Sequence, residues 1–140
     1  ILAGRRMNDS MGEYVASQVV KTLIRKNIKV NGATILMLGF TFKENCPDVR
    51  NTKIVDVVKS LEEYSTKVTI YDPWANSDEV KHEYGLTCHA TLDSDIKYDA
   101  IVLGVAHNEF KILDLASLKK ENAVVYDVKG VLGSLADAKL

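Results

Sequence analysis

Short apolar runs and amphipathic stretches alternate along most of the chain. Apolar stretches at 33–39, 67–71, 86–89, 99–105 and 123–126 are rich in Val, Ile, Leu and Tyr and predict strands. Between them, helical spacing appears at 52–64, where Ile54, Val57, Val58 and Leu61 share one face, and again at 76–84 and 112–119. Upstream, Met7, Met11, Val15, Val19 and Leu23 recur every four residues, and Ser10 with Glu13 has capping-box spacing, which together predict a long helix over 8–26. Asn31-Gly32 ends that pattern. Strands that are apolar throughout and separated by helices belong to a parallel sheet covered on both faces. The expectation is therefore a Rossmann-like open α/β sheet of about five strands, preceded by one long helix.

Right-handed crossovers in the order 3-2-1-4-5 bring the loops after the first, fourth and fifth strands to one edge. Those loops carry Thr41 to Arg50, Ala106-His107-Asn108-Glu109 and Asp127-Val128-Lys129-Gly130. Lys43, Arg50 and Lys129 are thus expected beyond the carboxyl ends of strands, where open sheets bind ligands, and three such cations suit a diphosphate. Each charge-assisted bond to a phosphate oxygen is worth on the order of 1.5 to 3 kcal/mol. The first loop has no glycine after Gly39, so the G-x-G-x-x-G signature of a dinucleotide site is missing.

Other polar residues have simpler readings. Asp48 is expected to cap the helix starting near Asn51, and Asp72, in Tyr71-Asp72-Pro73-Trp74, to cap the helix that follows. A lone loop histidine such as His107 is more often a local hydrogen-bonding residue than a ligand contact. Cys46 lies in the ligand loop but has no adjacent base and is followed by Pro47, which argues against a nucleophile; Cys88 reads as a small buried hydrophobe.

Composition narrows the classes. The chain has 140 residues, 46% of them hydrophobic, enough for one compact core, and 18 basic against 19 acidic residues leave a net charge of −1. That balance predicts no nucleic-acid partner. The two cysteines show no metal-ligand spacing, no apolar run is long enough to span a membrane, and no basic-then-apolar leader is visible. A cytoplasmic setting is the expectation. The chain starts at Ile1 without an initiator Met and reads as a fragment of something longer.

The ordered set Gly39-Phe40-Thr41-Phe42-Lys43, Asp48-Val49-Arg50, Tyr71-Asp72-Pro73 and Asp127-Val128-Lys129 resembles the C-terminal domain of the UDP-glucose/GDP-mannose dehydrogenases, over essentially the whole chain. The run from Phe42 to Thr52, with Arg6-Met7-Asn8-Asp9-Ser10-Met11 upstream, is most similar to the UDP-N-acetylhexosamine 6-dehydrogenases. The resemblance implies oxidation of a sugar C6 alcohol to a carboxylate with NAD, through a catalytic cysteine in a Gly-rich motif ending Cys-x-x-Lys-Asp, for surface polysaccharide precursors. That motif is absent here. The expected division is residues 1–30 as the last helix of a central dimerisation domain and 31–140 as the UDP-sugar-binding domain, inactive alone, with NAD held mainly by an N-terminal domain. The remaining domains of the same enzyme are its expected partners, and the parent enzyme is expected to be a homo-oligomer. By resemblance Phe42 and Lys43 contact the UDP-sugar, Arg50 reaches NAD, and Lys129 stands where many relatives carry Arg, keeping charge but losing the bidentate fork. The identity of the hexosamine stays open.

Two other readings compete. A stand-alone flavodoxin-like interaction module binding a phosphorylated ligand is expected to gather acidic residues at the strand ends, whereas this edge gathers Lys and Arg. A small complete enzyme using Cys46 requires a thiolate at neutral pH.

Overall fold

The computed structural model describes the backbone of residues 2–140 and the side chains from residue 11 onward. Helix α1 (Leu2–Arg25) leads into β1 (Thr34–Leu38), α2 (Ile54–Glu63), β2 (Lys67–Tyr71), α3 (Ser77–Tyr84), β3 (Cys88–His89), β4 (Tyr98–Leu103), the single turn α4 (Asn108–Lys111), β5 (Lys119–Asp127) and β6 (Ala138–Lys139). The strands form one sheet in the order β3-β2-β1-β4-β5-β6, parallel at every pairing, with Ile35 opposite both Val68 and Ala100. The predicted order is present, extended by β6 at the edge beside β5.

α2 forms where the apolar spacing placed it, burying Ile54, Val57, Val58 and Leu61 on one stripe. Its start is fixed by Thr52 Oγ1, which accepts the N–H of Ile54 at 3.0 Å, and not by Asp48. Asn76, rather than Asp72, caps α3 by accepting the Glu79 N–H at 3.1 Å, and Gly85 ends that helix in the left-handed region (φ 69°). α1 begins at Leu2, earlier than the expected cap, so Ser10 lies inside it. Val15, Val19 and Leu23 are fully buried in the same cluster as α2 and the inner face of β1, β4 and β5. Close approach of the two helices is possible because Gly12 has no side chain: a Cβ there would lie 2.6 Å from Asp56 Cβ.

The helix expected over 112–119 is not formed. Phe110, Leu115 and Leu118 are the buried residues and Ile112 is 88% exposed, so the true anchors fall on α4, a 3-10 turn at Leu115–Ser117, and the entry to β5. β5 begins at Lys119, well before its apolar segment, because its pairing with β4 starts at Tyr98 opposite Lys119. The two faces are consequently unequal. α1, α2 and α3 cover one; α4 and the 3-10 turn cover the other, packing on Leu36, Leu38, Ile101, Leu103 and Val125.

Candidate functional site

The carboxyl edge of the sheet is built from the loops after β1, β2, β4 and β5. At Gly39 the chain leaves β1 with φ 93°, and a Cβ there would meet Val105 Cβ at 2.6 Å and its backbone N at 2.9 Å. Glycine serves both the conformation and the close approach of the β1 and β4 loops. Phe40 then turns inward, fully buried, with its ring edge-on to Tyr84 of α3 at 5.5 Å; the Tyr84 hydroxyl donates to Val49 O at 2.6 Å and fastens the far side of the same loop. Phe42 N–H donates to Asp48 O at 2.7 Å and closes the loop on itself.

At the centre lies Asp72, directly after β2 and fully buried. Its Oδ2 accepts the N–H groups of Phe40 (2.7 Å) and Thr41 (3.0 Å) and Nε2 of His107 (2.9 Å), while Oδ1 accepts the N–H groups of Trp74 (2.8 Å) and Ala75 (3.2 Å). Burial pushes this carboxyl up, but the bonds from His107, Phe40 and Trp74 outweigh it and hold it below its ordinary value. His107, also fully buried, accepts the Asn45 N–H on Nδ1 at 2.9 Å. Trp74 stacks beside its ring, with centroids 6.0 Å apart, and donates Nε1–H to Glu109 at 3.0 Å.

A second buried carboxylate, Asp127, ends β5. It accepts the N–H groups of Lys129 (3.0 Å) and Gly130 (2.8 Å) on Oδ1 and of Leu132 (2.7 Å) on Oδ2. Between this turn and α4 lies a cavity of about 110 Å³ lined by Leu103, His107, Phe110, Lys111 and Leu132.

The predicted ligand residues all face solvent at this edge. Phe42 is half exposed, and Lys43 and Lys129 are exposed with no ion pair among the described residues. Arg50 is placed differently. Its side chain is 75% exposed, its Nε stands 4.0 Å from Asp48 Oδ1, and it borders a shallow cavity with Cys46, Pro47, Asp48 and Glu79 that neither Lys43 nor Lys129 lines. Asp48 accepts the Arg50 N–H at 2.9 Å and Asn51 Nδ2 at 3.2 Å, an Asx turn within the loop in place of the expected helix cap. Those bonds hold its carboxyl below the ordinary value.

Cys46 is partly exposed, and no histidine or lysine shares its cavity. Burial pushes the Cys88 thiol up to about 12, consistent with an inert core residue. No group of three metal-ligating side chains occurs among the described residues, and among them no helix is long and apolar enough to cross a membrane.

The profile of the UDP-glucose/GDP-mannose dehydrogenase family, UDP binding domain, matches residues 36–134. The chain belongs to the UDP-glucose/GDP-mannose dehydrogenase family. It is 52% identical over 135 residues to the UDP-N-acetyl-D-glucosamine 6-dehydrogenase of Salmonella typhi, covering 94% of this chain and 32% of the relative. Identity to the enzyme of the same name from Pseudomonas aeruginosa is 50%, with the same coverage. The crystal structure of an NDP-N-acetyl-D-galactosaminuronic acid dehydrogenase from Methanosarcina mazei Go1 superposes with a TM-score of 0.78 at 24% identity, over 90% of this chain and 26% of that one, and shares the fold. The chain spans about a third of the length of these curated relatives.

Within this dehydrogenase family segment, the first loop explains its own lack of glycines. In a dinucleotide site the first-loop N–H groups face a pyrophosphate. Here those of Phe40 and Thr41 are taken by Asp72, an internal carboxylate. The two N–H groups that follow Gly39 are therefore not available as a dinucleotide cradle, and the exposed cations at this edge are Lys43, Lys129 and, set apart from them, Arg50. The roles of Asp72, His107 and Asp127 were not visible in the sequence beyond one signal: each carries a polar group at the carboxyl end of an apolar run.

Proposed function

We propose that this chain is the UDP-sugar-binding part of an NAD-dependent UDP-N-acetylhexosamine 6-dehydrogenase, an enzyme that oxidises the sugar C6 alcohol to a carboxylate with two NAD as hydride acceptors. The observation that carries the reading is the first loop, whose Phe40, Thr41, Phe42 and Asn45 N–H groups are committed internally while the Phe42 and Lys43 side chains are exposed. The 52% identity to a UDP-N-acetyl-D-glucosamine 6-dehydrogenase supports it over a stand-alone interaction module.

In this reading Phe42 and Lys43 meet the nucleotide sugar and Lys129 adds charge from the β5 loop. Arg50, standing apart from them, serves the NAD side of the cleft, where the rest of the cofactor site lies on chain outside this segment. Residues 1–30 form the final helix of a central domain and 31–140 the binding domain, working with the remaining domains of a homo-oligomeric enzyme. The proposed reaction belongs to polysaccharide precursor synthesis in the cytoplasm.

Calorimetric titration of the chain with UDP, with ADP as control, tests the ligand. UDP is expected to bind more tightly than ADP, and Lys43→Ala to raise the KM for the nucleotide sugar in the full-length enzyme about tenfold, the scale of one charge-assisted bond, with little change in the KM for NAD. Equal responses to UDP and ADP, together with an unchanged KM in Lys43→Ala, would refute the assignment.

A further inference from the structure

The two proposed nucleotide-sugar contacts, Phe42 and Lys43, lie on a short arch from Thr41 to Asn45 that belongs to no helix or strand. A loop segment of this kind keeps one shape only if something outside it fixes both ends. One imidazole does so. Asn45 N–H, which can only donate, points at His107 Nδ1 at 2.9 Å, so Nδ1 carries a lone pair and the ring hydrogen resides on Nε2. Nε2 faces Asp72 Oδ2 at 2.9 Å and Thr41 Oγ1 at 3.1 Å. The Thr41 hydroxyl in turn donates to the carbonyl of Lys43 at 3.0 Å, which leaves its oxygen to share the single Nε2 hydrogen with Asp72 in a three-centre bond. Asn45 is held a second time, its side-chain oxygen accepting the Asn108 N–H at 3.0 Å, and its φ of 54° turns the chain back at that point.

We propose that His107 is a positioning residue for the nucleotide-sugar site: its two ring nitrogens tie the two ends of the Thr41–Asn45 arch, and through the Thr41 hydroxyl they fix the backbone from which Lys43 reaches the diphosphate. The ring touches no ligand. It acts by denying the arch alternative shapes, so that Lys43 meets the diphosphate already oriented. Asp72 sets the tautomer by accepting the Nε2 hydrogen, and Phe110 and Trp74 pack against the ring at centroid distances of 5.3 and 6.0 Å and fix its plane. This inference rests on the uridine-diphosphate reading of Lys43, and its test separates the two.

His107→Phe keeps an aromatic ring against Phe110 and Trp74 but removes both nitrogens. The expected result is UDP binding weakened about tenfold, rapid hydrogen exchange at the Asn45 amide, and a raised nucleotide-sugar KM in the full-length enzyme with the NAD KM unchanged. His107→Gln, which retains a donor toward Asp72, is expected to fall between wild type and His107→Phe. Thr41→Val is expected to weaken UDP severalfold while Asn45 stays protected, and nitrogen-15 spectra of the wild-type ring are expected to show hydrogen on Nε2 alone. UDP affinity unchanged in a folded His107→Phe whose Asn45 amide exchanges freely overturns the positioning role. So does hydrogen on Nδ1 in the wild type. Should His107→Phe not fold, unchanged affinity in Thr41→Val is decisive against it. Affinity lost in Lys43→Ala but kept in His107→Phe removes the positioning role and leaves the uridine reading intact, whereas no UDP preference in the wild type removes that reading and this proposal with it.

Discussion

Asp72 and Asp127 occupy equivalent places, each buried at the carboxyl end of a parallel strand and each gathering backbone N–H groups, yet they organise the edge differently. Asp127 binds only residues that follow it, at Lys129, Gly130 and Leu132, and so shapes one local turn. Asp72 binds its own turn at Trp74 and Ala75, but also Phe40 and Thr41 from the β1 loop and His107 from the β4 loop. One carboxylate is a local fastening; the other joins three loops that are distant in sequence. The lesson is that cations on similar-looking loops can stand on supports of very different reach: Lys129 on a self-contained turn, Lys43 on a network spanning much of the chain.

That contrast predicts a large and unequal response to mutation. Asp72→Ala leaves buried donors at Phe40, Thr41 and His107 unpaired and is expected to cost on the order of 3 to 5 kcal/mol in denaturant unfolding, with UDP binding lost as well. Asp127→Ala exposes its freed N–H groups to water at Lys129 and Gly130, both already exposed, and is expected to cost about 1 to 2 kcal/mol. Because the two aspartates share no partner, the double variant should be additive; a coupling above about 0.5 kcal/mol would show that the β5 turn leans on the Asp72 network after all.

Acid sharpens the comparison further. The Asp72 carboxyl is held below its ordinary value in the folded chain, so its contribution is fully present above the unfolded value of about 3.9 and is lost as pH falls through the lower folded value. Asp72→Asn is therefore expected to flatten the fall of stability below about pH 4 relative to wild type, measured by urea unfolding across pH. An unaltered acid limb in that variant would mean another carboxylate controls it. The smallest effects are expected at the cations themselves. Lys43→Ala and Lys129→Ala should each shift stability by less than about 0.5 kcal/mol in thermal melts, since neither side chain has an ion-pair partner among the described residues.

Most of the sheet was legible because β1 and β4 are buried on both sides and announce themselves as continuous apolar runs; β2, only partly buried, also occupies the predicted 67–71. Legibility failed where apolar pattern and backbone pairing part company. In the polar first half of β5, from Lys119 to Asn122, only Lys119 has a register partner, Tyr98, before the register shifts to Val124 opposite Ala100, and β6 is two residues long. The expected helix at 112–119 fails because Ile112 is 88% exposed while Leu115 and Leu118 are buried, so the segment presents no single apolar stripe. At the site, solvent-facing side chains such as Phe42 and Lys43 could be placed on the edge from loop position alone. The Asp72–His107 pair could not: its members lie 35 residues apart, and nothing in a linear pattern says which carboxylate a histidine will meet. The same limit hid the start of α2, where Thr52, one residue before the N-cap Lys53, accepts the Ile54 N–H and Asp48 does not.

α1 has a mechanical consequence. Its carboxyl end is riveted to the far edge of the sheet: Lys26 Nζ donates to Ala123 O at 2.9 Å and Asp137 Oδ1 at 3.0 Å, Asn122 donates to Lys26 O at 2.6 Å, and Gly12 seats the rod against α2. A helix of 24 residues is about 36 Å long, so a tilt of only about 5° at the riveted end sweeps the other end through about 3 Å. By the same geometry, a displacement of about 3 Å at the amino end of a rigid α1 corresponds to a rotation of only about 5° where the helix is fastened to the sheet.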